Sequence, residues 1–234
     1  MLEVIAYAAI ASVALPIGAL AGAKFDLPKA VLAMMLGFAS GALISAVAFE
    51  LFDVAFDHGG IGRTGVSFLL GATVFVLIDS WLERRKARRV RSGTRVGFAL
   101  LAGVTLDGIP ENVAMGVSLI EGSSLALLVA IFVSNFPEAL VGAEKMKEAG
   151  ITPERAILIW SIAAVALAAA VLVGYLALDG VDGKTLSIPL AFAAGAVLAS
   201  LADTVMPEAY EEGGVKVAYA TALGFLLSYL LSVG

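Results

Sequence analysis

Eight apolar runs of about 20 residues each leave this chain little alternative to crossing a lipid bilayer repeatedly. They lie at roughly 2–23, 30–55, 63–82, 95–119, 124–145, 152–178, 187–209 and 215–233, and are numbered here as spans 1 to 8. Runs this apolar cannot all be buried in one soluble core, whereas a lipid-facing helix needs no polar face. The chain is 60% hydrophobic and 15% charged, against about half and about a quarter in soluble domains. The expected fold is an all-α integral membrane protein with eight transmembrane helices.

The breaks between spans are short and carry turn chemistry: Lys24-Phe25-Asp26, Asp57-His58-Gly59-Gly60, Glu121-Gly122-Ser123, Gly150 to Pro153, Asp179 to Lys184 and Glu211 to Gly214. No linker is long enough to divide the chain, so residues 1–234 read as a single transmembrane domain. The first span lacks a basic region before it and reads as a retained helix rather than a cleaved signal. Helix-interior glycine is frequent, as expected where helix backbones approach closely.

Composition also excludes. Without cysteine there are no disulfides and no thiolate metal site, and His58, the one histidine, limits imidazole to a single ligand per chain. A formal net charge of −5 argues against a nucleic-acid partner. No phosphate-binding glycine loop points to ATP.

Basic residues orient the spans. The cluster Glu83-Arg84-Arg85-Lys86-Ala87-Arg88-Arg89-Val90-Arg91 is expected in a cytoplasmic loop, which places both termini outside and Lys145 to Arg155 inside. Two internal repeats are visible. Span 2 reads Gly37-Phe38-Ala39-Ser40-Gly41-Ala42-Leu43 and span 7 reads Ala191-Phe192-Ala193-Ala194-Gly195-Ala196-Val197, with Ala48 matching Ala202 and Ala55 matching Ala209. The two spans run in opposite directions, so the repeat is inverted. The second repeat sets Asp107-Gly108-Ile109-Pro110-Glu111-Asn112 in span 4 against Ser134-Asn135-Phe136-Pro137-Glu138-Ala139 in span 5.

A carboxylate at the bilayer centre is costly and marks a functional site by default. Asp107, Glu111 and Glu138 all sit near the middle of their spans, and Asp107 and Glu111, four residues apart, share a helix face. Proline before each glutamate removes a backbone donor and frees a carbonyl about one turn earlier. Neighbouring carboxylates need a cation or protons to remain together, and a divalent cation is the simplest compensation.

These motifs resemble the ZIP family of zinc/iron-regulated transporter-like proteins, whose fourth and fifth helices carry His-Asn-x-Pro-Glu-Gly repeats. The resemblance extends to Gly37-Phe38-Ala39-Ser40-Gly41 in span 2 and to Ala193-Ala194-Gly195 through Asp203 and Met206-Pro207-Glu208 in span 7. It implies a 3+2+3 inverted-repeat fold, a homodimer, and movement of spans 1, 4, 5 and 6 as a unit against spans 2, 3, 7 and 8. It implies divalent metal as transported substrate rather than as cofactor, and no enzymatic activity. The family's histidines are replaced by Asp107 and Ser134, Gly108 stands for an asparagine, Asn135 is kept, and Ala168 occupies the place of a glutamate in span 6. The implied metal set is therefore mostly oxygen: Asp107, Glu111, Ser134, Asn135 and Glu138, with Asn112 as a further candidate. Carboxylate and carbonyl oxygens suit Mn²⁺ and, less strictly, Fe²⁺ better than Zn²⁺, which prefers nitrogen and sulfur.

Other residues are candidates for the pathway. Glu50 and Asp53, with Asp57 and His58 beyond them, form either a cation-gathering entry or a solvated helix end. Asp203, with Glu208, Glu211 and Glu212, lines an exit path or forms an acidic helix end. Asp79 is expected to pair with Arg84 or Arg85, His58 to be a turn residue, and Met34, Met35 and Met115 to pack. The competing reading is a protein of the same fold that no longer transports metal and instead senses it or moves another small solute. Intramembrane acid–base hydrolysis by close carboxylates is a third, which the Pro-Glu repeats do not support. Short loops suggest a prokaryotic inner membrane.

Overall fold

The computed structural model describes residues 1–25, 27–89, 96–122 and 124–233, with side chains for all of these except 83, 85–89 and 96–107. Among the described residues there is helix and no strand: α1 (Leu2–Lys24), α2 (Lys29–Ala46), α3 (Asp53–Arg89), α4 (Val96–Glu121), α5 (Leu125–Glu148), α6 (Pro153–Leu178), α7 (Gly183–Ser200), α8 (Met206–Gly213) and α9 (Lys216–Val233). Single π-helical turns, Val47–Phe52 and Leu201–Val205, join α2 to α3 and α7 to α8. They begin at residues that the span 2 and span 7 repeat pairs, Val47 and Leu201. Wide turns of this kind inside helices recur at functional sites.

Six described stretches are long and apolar enough to cross a membrane. The chain is thus an all-α membrane protein, but the expected count of eight is not reached. One stretch, Lys29–Leu82, unites spans 2 and 3, and span 4 falls partly outside the described residues. The reason lies at the first expected break. Helix persists through Asp57, His58 and Gly59 and is interrupted only at Gly60, whose φ of 67° and ψ of 168° suit glycine alone. Gly59 packs so closely on the Ser187 side chain of α7 that a Cβ there would not fit. The basic cluster also differs from its expectation, since the backbone stays helical to Arg89. Its side chains apart from Arg84, and residues 90–91, lie outside the described residues.

Packing follows the small residues. α2 lies along α9 with Gly41 against the Thr221 carbonyl and Gly224 against the Phe38 carbonyl. α7 lies along α3 with Gly195 against the Phe68 carbonyl and Gly71 against the Phe192 carbonyl. Gly41 and Gly195, and Phe38 and Phe192, are matched positions of the repeat. A second group brings α1 against α5 and α6, and α4 against α6. Large apolar side chains such as Leu69, Leu77, Val165, Val173 and Leu223 remain exposed, as a lipid-facing surface requires.

The starts of α5 and α7 carry side-chain caps. The Ser124 hydroxyl accepts the Leu127 N–H at 3.0 Å at the start of α5. Ser124→Ala is expected to lower stability by about 1 kcal/mol, read as an earlier thermal unfolding transition. Asp182 caps α7, and the Thr185 hydroxyl, then its backbone N–H, hold the carboxyl below the usual range. That cap is at full strength above the unfolded-state pKa of about 3.9 and is lost as pH falls through the folded value.

Candidate metal centre

Both Pro-Glu turns lie inside helices that run on through them, Pro110 in α4 and Pro137 in α5. The polar residues after and around each proline are withdrawn from solvent. Glu111 is 5% exposed, Asn112 and Ser134 are fully buried, Asn135 is 1% exposed, and Glu138 is half-buried. Asp107 stands on α4, but its side chain lies outside the described residues.

On α5, the Ser134 hydroxyl donates to Glu138 Oε1 at 2.6 Å, one turn along the same face. That length is typical of a hydroxyl bound to a carboxylate. With its proton directed at Glu138, the Ser134 oxygen keeps lone pairs that can face a cation.

The two asparagines are fixed by partners that can only accept. Asn135 Nδ2 donates to the Ala11 carbonyl of α1 at 3.2 Å, and Asn112 Nδ2 donates to the Gly108 carbonyl at 2.8 Å. A carbonyl oxygen cannot donate, so each amide must present its nitrogen there, and each Oδ1 is oriented away. Both Oδ1 atoms are buried and have no hydrogen-bond donor among the described residues. A buried amide oxygen without a donor costs on the order of 1–3 kcal/mol. A cation is one partner that would satisfy it, and hard divalent ions take amide oxygens readily. These oxygens therefore fit a metal-binding role, alongside the carboxylates. Among the described residues no three Asp, Glu or His side chains form a metal-binding group, so Glu111 and Glu138 do not make such a group without further ligands.

The secondary candidates separate. Glu50 lies in the π turn Val47–Phe52, half-buried, and accepts the Ser232 hydroxyl of α9. Asp53 and Asp57 are exposed. Asp203, in the π turn Leu201–Val205, is exposed, as is Glu211. Glu208 pairs with Lys145 at 2.7 Å and Glu212 with Lys29 at 3.0 Å. These pairs, with Glu144 and Glu148, line a cavity of about 80 Å³. Asp79 is buried, and the Arg85 side chain expected near it lies outside the described residues. Met115 is fully buried in the apolar core, and Met34 packs against that core. Ala168 packs there too, so α6 supplies no ligand at that position.

His58 is not a turn residue. It stands on helix, and its Nε2 lies 2.9 Å from Glu121 Oε2 at the end of α4. Nothing in sequence spacing pairs residues so far apart. Sequence reasoning also missed Ser12, which is buried beside Ala11 with an unpartnered hydroxyl. A lone serine in a run of small residues carries no signal of its own.

No protein-family model matches the chain. The chain is 29% identical over 184 residues to an Arabidopsis thaliana protein named "Putative zinc transporter", an alignment covering 75% of this chain. The matched part is 29% of that relative, so the chain spans less than a third of its length.

Proposed function

We propose that the chain is a divalent-metal transporter of the ZIP type, carrying metal toward the cytoplasm through an oxygen-lined site on α4 and α5. The observation that carries this reading is the polar set buried at the two Pro-Glu turns. Two carboxylates, a serine hydroxyl and two donorless amide oxygens stand in the middle of apolar helices. Such a set is costly to bury between apolar helices and suits a dehydrated cation. Likeness to a relative named for zinc transport supports the transport class.

Counting the Gly60 break as a loop and α4 as a span yields eight crossings. Matched π turns and matched glycine contacts support the 3+2+3 inverted repeat. In this reading residues 1–234 form one transporter domain. It sits in a prokaryotic inner membrane with both termini outside, as a homodimer, and transports without enzymatic chemistry.

The donor set supports a harder metal class. With Asp107 and Ser134 where imidazoles would stand, the site ranks Mn²⁺ and Fe²⁺ above Zn²⁺. Proteoliposomes loaded with a metal-sensing dye test this. Uptake is expected to be faster for Mn²⁺ and Fe²⁺ than for Zn²⁺ at equal concentration. Uptake of none of the three above empty liposomes would overturn the transport reading. A second reading, a metal sensor of the same fold, is favoured by the apolar packing of Ala168. It predicts saturable Mn²⁺ binding with no uptake.

A further inference from the structure

Two polar pairs, His58–Glu121 and Lys145–Glu208, join the same two helix groups at opposite ends of the α4–α5 pair. One group contains α1, α4, α5 and α6; the other contains α2, α3, α7, α8 and α9. At one end His58, on the helix that continues α2, meets Glu121 at the C-terminus of α4, Nε2 to Oε2 at 2.9 Å. At the other end Lys145, near the C-terminus of α5, meets Glu208 of α8 at 2.7 Å. The short connection between α4 and α5 puts Glu121 and Lys145 at opposite ends of this helix pair.

The two pairs occupy repeat-related places. The span 2 and span 7 repeat matches His58 with Glu212, and the Pro-Glu repeat matches Glu121 with Glu148. Lys145 and Glu208 lie one helical turn from those counterparts. Polarity is reversed between ends. The α4–α5 group offers the anion at the first end and the cation at the second.

We propose that His58–Glu121 and Lys145–Glu208 are reciprocal latches of alternating access, and that the first is operated by protons. The proposal rests on the transport reading above. Both latches are closed in this structure, which corresponds to an occluded arrangement. Opening toward one side requires its latch to break while the other stays made.

The latches differ in chemistry. Lys145–Glu208 joins an ammonium to a carboxylate. His58 is an imidazole, the side-chain type that acid charges within the physiological range, so acidification is expected to strengthen its bond to Glu121. The charged groups around it are few. Glu121 faces it from α4, and Gly183 of α7 abuts its ring, flanked by Asp182 and Lys184. Asp57 precedes it on its own helix, and Arg63 donates to the Lys184 carbonyl. Asp182 is already engaged by Thr185. Glu121 is therefore the carboxylate in direct contact. With side chains 35% and 27% exposed, the pair is partly screened, and acid is expected to close the latch by a few-fold rather than lock it.

Because the chain lacks cysteine, one introduced thiol reports opening. Val117→Cys lies one turn below Glu121 and is fully buried. Labelling of purified protein by a soluble maleimide is compared with a cysteine at exposed Val215, which corrects for thiol ionisation. The corrected rate is expected to be about threefold slower at pH 5.5 than at pH 8. His58→Gln should label at the fast rate at both pH values, and His58→Lys, which keeps the charge, at the slow rate at both. Lys145→Gln should slow labelling at pH 8 by favouring the opposite opening, whereas simple loosening of the fold would speed it. No pH effect in the parent, a pH effect retained in His58→Gln, or faster labelling in Lys145→Gln would overturn the proposal. The assay needs no transported metal. Normal labelling behaviour with no metal uptake would refute the transport reading alone, and uptake with pH-independent labelling would refute the latches alone.

Discussion

Replacing Glu138 with glutamine is expected to lower metal uptake by about 100-fold or more. Loss of groups that only orient a ligand already costs about 10–100-fold in metal affinity, and a charged ligand should cost at least as much. The substitution is well controlled. Glutamine keeps the volume, and its Oε1 can still accept the Ser134 hydroxyl that now meets Glu138 at 2.6 Å. What disappears is the negative charge, together with one acceptor oxygen that becomes an NH2 donor. Glu111→Gln, at the matched position of α4 and 5% exposed, should behave alike. If both carboxylates hold one ion, the double variant should lose little more than either single variant, rather than the product of the two losses. Asn112→Leu and Asn135→Leu remove donorless buried oxygens. Both are expected to slow uptake with a net stability change within about 1 kcal/mol, because loss of the unsatisfied oxygen is offset by loss of the amide's bond to the Gly108 or Ala11 carbonyl.

A valine at Gly195 is expected to destabilise the fold by about 3 kcal/mol, near the upper end for overpacking. Its first side-chain atom would collide with the Phe68 carbonyl, which belongs to a helix backbone and cannot rotate away. Gly41→Val should cost a similar amount through the Thr221 carbonyl, because the two glycines are matched by the repeat. Gly62→Ala is the control. Nothing lies within 4 Å of a side chain there, so its effect should stay within about 0.5 kcal/mol. Unfolding in mixed micelles measures all three. Equal stabilities would mean that close helix contact does not hold the two repeat-related helix pairs together.

Much of the architecture is legible in the sequence because lipid imposes a strict rule. Every spanning backbone must satisfy itself, so long apolar runs become helices whose ends fall near Gly, Asp and Lys clusters. The Pro-Glu turns are equally legible, since charged residues inside such runs are few. Turns set by tertiary contact are less so. Asp57 to Gly60 has the chemistry of a four-residue turn, yet the helix runs through Gly59, which packs on Ser187, and breaks only at Gly60. The π turns have no sequence signature of their own; only the repeat aligns them. His58 and Glu121 illustrate the remaining gap. Their pairing depends on how separate helices dock, and a single exposed histidine gives no hint of a partner. For Asn112 and Asn135 the sequence offers the residue type. The hydrogen bonds that pin each nitrogen, and so free each oxygen, emerge only from the packed helices.

The central claim is that the buried oxygens on α4 and α5 hold a divalent cation. Anomalous scattering from crystals soaked in Mn²⁺ tests it most directly. The account predicts a peak within coordination distance of carboxylate oxygens of Glu111 and Glu138, about 2.0–2.4 Å away, lost on soaking the Glu138→Gln variant. Manganese found only among the acidic helix ends near Glu208 and Glu212, with the Pro-Glu turns empty, would contradict it.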